Sequence, residues 1–100
     1  MELKDVIKRI RYFRNEKGLS ARELSLLIGK NVNYINRLEC GGFNLPNEMV
    51  LKIIDALEIL PSQFFAENYQ NYDLDNDLYN LIKAMPITQK QSLLEFLKKI

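Results

Sequence analysis

The stretch from Leu19 to Glu39 leaves the chain few choices of local structure. Ser20 is a good helix N-cap, and Glu23 three residues later completes a capping box. Leu24, Leu27 and Ile28 recur at helical spacing, which predicts one apolar face. Gly29 then stops the helix, because the residue just past a C-terminus often needs positive φ. Asn31 is placed to cap a second helix whose buried side is Ile35 and Leu38, ended by Gly41 and Gly42. Two short helices joined by a tight turn follow, with the second spanning about 31–39.

Such a pair is a helix-turn-helix. Held proud of a body, its second helix fits a DNA major groove about 12 Å wide. An ordinary pair of core helices shares the same spacing. The residues themselves run close to L-S-x-x-E-L-A-x-x-x-G-x-x-x-x-x-I-S-x-I/L-E-x-G. Leu19, Ser20, Glu23, Leu24, Gly29, Ile35, Leu38, Glu39 and Gly41 match this pattern, and Ser25 and Asn36 nearly do. The chain thereby resembles the Xre-type (lambdoid repressor and Cro-like) helix-turn-helix regulators over about residues 5–66. The resemblance implies an all-α chain, with a five-helix lambda-repressor-like DNA-binding domain and a C-terminal two-helix extension.

The flanking sequence accommodates that plan. Residues 3–17 carry Leu3, Val6, Ile7, Ile10 and Phe13 at helical spacing, with Gly18 as stop. Arg14 lies beside this stripe, where a charge is costly unless paired. Glu39 is its expected partner, in a structural ion pair that the resemblance also implies. Asn47, just after Pro46, is expected to cap a fourth helix with Met49, Val50, Ile53, Ile54 and Leu57 inside. Pro61 suits the first turn of a fifth, carrying Phe64 and Phe65.

Residues 1–66 thus form the expected DNA-binding domain, and the polar stretch 67–75 reads as a linker. Over 76–100, Leu78, Leu81, Ile82 and Met85 predict one more amphipathic helix, ended by Pro86. Thr88 with Gln91 suggests a capping box opening the last helix. Two helices of about twelve residues are marginal without tertiary contacts. They must pack on the first domain or on another chain, and a homodimer is the expected outcome because helix-turn-helix proteins read paired half-sites.

Charge places the partner. Net charge is only +1, but residues 1–30 hold eight Lys or Arg against four acids, while 31–66 hold two against four. The resemblance implies double-stranded DNA, with Asn31, Val32, Asn33 and Arg37 facing bases. It puts Ser20, Arg22, Lys30, Tyr34 and Asn36 at phosphates. Geometry suits Asn33 to adenine, Arg37 to guanine and Val32 to a thymine methyl. The amides opening the first helix of the motif would also face a phosphate.

Three features open a second reading. Ala21 stands where the family often has glutamine, residues 40–51 hold no cation, and Leu26 and Leu27 fall at usually polar positions. A protein-interaction module or antitoxin-like regulator would use Leu26, Leu27, Val32 and Phe43 to grip another protein. An enzyme is not expected: with no histidine, one cysteine and no Gly-rich phosphate loop, no acid-base or nucleophilic constellation can be drawn. No cofactor or metal is implied. Cys40 reads as a helix-end residue, and a single cysteine excludes a disulfide framework and fits a cytoplasmic protein. Neither a signal peptide nor a run near the roughly 18 apolar residues of a membrane span is expected.

Overall fold

Apolar spacing becomes helix almost everywhere in this chain. The computed structural model describes residues 1–41 and 44–100. Among them are seven α-helices, which fall into two units, Met1–Phe65 and Ala66–Ile100. The first unit holds α1 (Leu3–Glu16), α2 (Ala21–Leu27), α3 (Tyr34–Glu39), α4 (Asn47–Ala56) and α5 (Pro61–Phe64). The second holds a 3-10 turn at Tyr69–Asn71, α6 (Tyr72–Lys83) and α7 (Ile87–Lys98).

Every helix of the first unit sends side chains into one core. Ile10 and Phe13 come from α1, Leu24 from α2, Ile35 and Leu38 from α3, Ile53 and Ile54 from α4, and Phe64 from α5. The close packings are α2 on α3, α1 on α3, α2 on α4 and α4 on α5. The Phe13 and Phe64 rings sit 5.8 Å apart. Arg9 Nη1 donates to the Phe64 carbonyl at 2.8 Å, holding the end of α5 to α1. Loss of core side chains on this scale would cost several kcal/mol each, so the unit has a core of its own.

Four element boundaries and one helix face differ from the expectation. The helix expected from Asn31 begins at Tyr34, with Asn33 in the cap position. Asn31 Oδ1 instead accepts the Asn33 N–H at 3.0 Å, an Asx turn that competes with helix. On α2, Leu27 is 59% exposed; the buried face is Leu24, Ser25 and Ile28. At α4, Pro46 takes the cap position and Asn47 is already helical, because the Pro46 carbonyl accepts the Met49 and Val50 N–H groups. No Thr88–Gln91 capping box forms: α7 starts one residue before Thr88, with Pro86 as its cap, and the Thr88 carbonyl accepts from Ser92 Oγ. Residues 69–75, read as linker, are helical. Asp73 and Asp75 favour a helix N-terminus electrostatically, and Asn68 Nδ2 donates to Asp75 Oδ2 at 2.7 Å. Gly42 and Phe43, named above as a helix stop and a gripping residue, lie outside the described residues.

Candidate nucleic-acid interface

The turn between α2 and α3 is fixed from three directions. At the start of α2, Ser20 Oγ accepts the Glu23 N–H at 3.0 Å and Glu23 Oε1 accepts the Ser20 N–H at 3.1 Å. The Ser20 N–H first, and then the Ser20 side chain, stabilise the charged Glu23 carboxylate and hold its pKa below the ordinary carboxylate range. At the end of α2, Gly29 takes φ +72 and the Lys30 N–H reaches back to the Ser25 carbonyl at 2.9 Å. Only glycine enters that left-handed region at no cost.

Ser25 supplies the third constraint. Fully buried, its hydroxyl donates to the Ala21 carbonyl at 2.7 Å and accepts the Ile35 N–H at 3.0 Å. Ile35 is the second residue of α3, so its N–H is one of the donors that a helix start leaves without an internal acceptor. The cap position, Asn33, makes no side-chain cap bond. One helix of the motif therefore caps the other and sets the angle between them.

The far end of α3 is held by charge. Arg14 Nε and Nη2 donate to the two oxygens of Glu39, each at 2.8 Å, and Arg14 Nη1 donates to the Leu19 carbonyl at 2.9 Å. Arg11 adds Nε to Glu39 Oε1 at 3.1 Å and Nη2 to the Glu39 carbonyl at 3.0 Å. The Glu39 side chain is 6% exposed and that of Arg14 14%. The hydrogen bonds to Glu39 raise the Arg14 pKa above its ordinary value, against the smaller opposing effect of burial, so the guanidinium stays charged. One carboxylate between two guanidiniums adds no negative field to α3.

Ile35 and Leu38 face the core and Glu39 is covered by its two arginines, which leaves the middle of α3 to face outward. Asn36 and Arg37 are exposed on the helix, and Asn31 and Asn33 are exposed on the turn that leads into it. Val32 and Tyr34 are half-buried. Lys30 Nζ lies 5.4 Å from the Tyr34 ring centre, and burial pushes the Tyr34 phenol pKa up. Ser20 and Arg22 are exposed at the start of α2, away from this turn in sequence. From Leu24 to Leu38 there are two cations and no acid. Leu26 and Leu27 are exposed on the outer side of α2, where with Leu19 and Glu23 they line a shallow apolar depression of about 370 Å³.

Sequence reasoning missed three of the residues that build this arrangement. Arg11 lies one helical turn before Arg14 and shares its face, a spacing that was visible in the sequence. Ser25 stands between Leu24 and Ile28 on the apolar side of α2, and a hydroxyl there needs a buried partner. Arg9 gives no sequence signal, since its acceptor is a backbone carbonyl 55 residues away.

Comparison with known proteins adds one match. The helix-turn-helix family matches residues 10–64, which takes in α2, the turn, α3 and most of the core around them. No curated protein and no solved structure matches the chain. No helix among the described residues is long and apolar enough to cross a membrane. On the family match, and on the capped turn and outward α3 at its centre, this chain belongs to the Xre-type, lambda-repressor-like helix-turn-helix family of DNA-binding transcriptional regulators.

Proposed function

We propose that this protein is a sequence-specific repressor that works as a dimer in the cytoplasm, each copy laying α3 and the turn before it into a major groove. Residues 1–66 serve as the DNA-binding domain and 76–100 as the dimerisation element. Asn31, Val32, Asn33 and Arg37 face base edges. Ser20, Arg22, Lys30, Tyr34 and Asn36 meet phosphates, where they set register without reading sequence. The carrying observation is the outward side of α3: exposed amides and a guanidinium, no acid from Leu24 to Leu38, and the one carboxylate at its end held by two arginines. Base edges offer donors and acceptors that such side chains match, and a carboxylate-lined face would be repelled by the backbone.

Fluorescence anisotropy on DNA from upstream of its own gene, titrated across salt, tests this. Arg22 and Lys30 from two copies neutralise four phosphates, for a slope of log K on log salt of about −4. Arg22→Ala weakens binding to all sequences alike and takes about 2 off that slope, one per copy. Arg37→Ala costs about 1–3 kcal/mol per half-site and relaxes base preference at one position, with the slope held. Absence of salt-sensitive binding to any duplex overturns the proposal.

A further inference from the structure

One face of α1 carries more positive charge than the fold uses. Lys4, Lys8 and Arg11 follow one another at i+4 and i+3, which puts all three on the same side of the helix. Like charges at that spacing work against a helix. All three are exposed, and with Glu39, Cys40 and Gly41 they line a depression of about 280 Å³ where α1 passes the end of α3. Lys8 makes no ion pair among the described residues. Lys4 reaches Glu2 at 3.2 Å, but both side chains are well exposed, and such a pair is worth little.

Glu39 does not offset this charge. It is the one acid among the described residues that line the depression, and both of its oxygens already accept from Arg14. The bonds from Arg11 are therefore extra to the pair that holds α3. What they do is fix the Arg11 guanidinium at the edge of the depression. Two of its five N–H donors are used, on Glu39 Oε1 and on the Glu39 carbonyl, and three remain. The end of α3 adds little negative field, because the Asn36, Leu38 and Glu39 carbonyls accept from the Cys40 N–H, the Gly41 N–H and Arg11.

A held guanidinium with two ammonium groups on the same side suits an oxyanion. The guanidinium fork matches phosphate oxygens in pairs, and the lysines add point charges to the rest. Fixing the fork in advance lowers the ordering cost of binding. The volume admits a phosphate with part of its hydration shell, since one water takes about 30 Å³. We infer that the depression between α1 and the end of α3 binds a phosphate group through Lys4, Lys8 and Arg11. Two sources carry that group: a free phosphate-bearing small molecule, and the DNA backbone. The six residues of α3 span about 9 Å against a groove about 12 Å wide, so each end of the helix comes near a groove wall. None of the phosphate contacts assigned above lies past Asn36, and the depression sits at that far end. The site rests on the first unit alone, and only its duplex source rests on the proposed function.

The test uses the full chain in three forms: wild type, Lys4→Ala with Lys8→Ala, and Lys52→Ala, whose lysine is exposed on α4 and does not line the depression. None of these side chains bonds Glu39, so thermal melts of the three should coincide. Inorganic pyrophosphate, followed by amide shifts in NMR, probes the free source. Saturable shifts are expected at Lys8, Arg11, Cys40 and Gly41, with affinity lower by on the order of tenfold or more in the double variant and unchanged in Lys52→Ala. Duplex DNA titrated across salt probes the backbone source. One added phosphate per copy takes the slope of log K on log salt from the value of about −4 set by Arg22 and Lys30 to about −6, and the double variant returns it to about −4. Either result supports the site and names its source.

Pyrophosphate that leaves those amides unmoved, together with a duplex slope that the double variant does not change, overturns the inference. So does a loss in Lys52→Ala equal to that in the double variant, which would mark a general effect of charge. A chain that holds pyrophosphate but no duplex keeps the site and loses the functional reading. One that binds duplex with the slope held, and no pyrophosphate, keeps the functional reading and loses the site.

Discussion

Ser25 does the work of a cap from outside the helix it caps. Its hydroxyl accepts the Ile35 N–H while donating to its own helix, so both halves of its hydrogen-bonding capacity are used in a buried site. Ser25→Ala removes the acceptor and leaves a buried donor unmatched, at a cost of about 1–3 kcal/mol. A urea titration checks this, with the m-value unchanged because the same surface unfolds. The two arginines on Glu39 separate the same way. Arg14→Ala strips two hydrogen bonds from a carboxylate that is 6% exposed, and should cost about 3 kcal/mol. Arg11 is 54% exposed on its side chain, and Arg11→Ala should cost under about 1 kcal/mol. Equal losses in the two variants would mean that the pair does not hold α3 as its geometry implies.

At the scale of elements, the sequence spoke clearly wherever one residue type has one job. Gly18 and Gly29 end helices at positive φ, Ser20 and Glu23 cap α2 reciprocally, and the apolar stripes put Ile10 and Phe13 of α1 and Val50, Ile53 and Ile54 of α4 into the core, though Leu3 at the start of the α1 stripe is exposed. It was illegible where two local bonds competed. Asn31 has the chemistry of a helix cap and of an Asx turn, and the turn wins, so α3 loses its expected first residues. The outward Leu27 was misplaced for a related reason: a seven-residue helix has too few turns for periodicity to fix which side is buried. Among the candidate site residues, the sequence located the outward segment but not the shape of its entry, which is a turn at Val32 and Asn33 closed by the Asn31 side chain.

One element end retains strain that glycine would relieve. Glu58, just after α4, takes φ +56, the left-handed region that costs an L-residue about 1 kcal/mol or more. Glu58→Gly should gain up to about 1 kcal/mol of stability, reduced by the extra freedom of the unfolded chain. Gly29→Ala runs the other way. An added methyl would meet nothing within 4 Å, so its cost of about 1 kcal/mol is backbone conformation alone. Paired thermal melts of the two variants, shifting in opposite directions, check both.

For the whole molecule, the division of labour follows from where the core lies. Among the described residues, the buried apolar ones belong to the first unit, from Ile10 to Phe64, and the ion pairs at Glu39 are internal to it. A chain stopped after Ala66 should therefore keep a cooperative melt. Under the proposed dimer, what it should lose is linkage between half-sites. Joining two binding domains makes the second contact intramolecular, and the resulting avidity exceeds either half alone by roughly a hundredfold or more. The shortened chain should accordingly be monomeric, with half the salt slope and weaker binding to a paired site by on the order of a hundredfold, while its affinity for a single half-site stays near that of the full chain. Anisotropy on one-site and two-site duplexes measures this. Equal loss on both duplexes would mean that the second unit supports the fold of the first, and equal affinity on both would mean that the dimer adds nothing to DNA recognition.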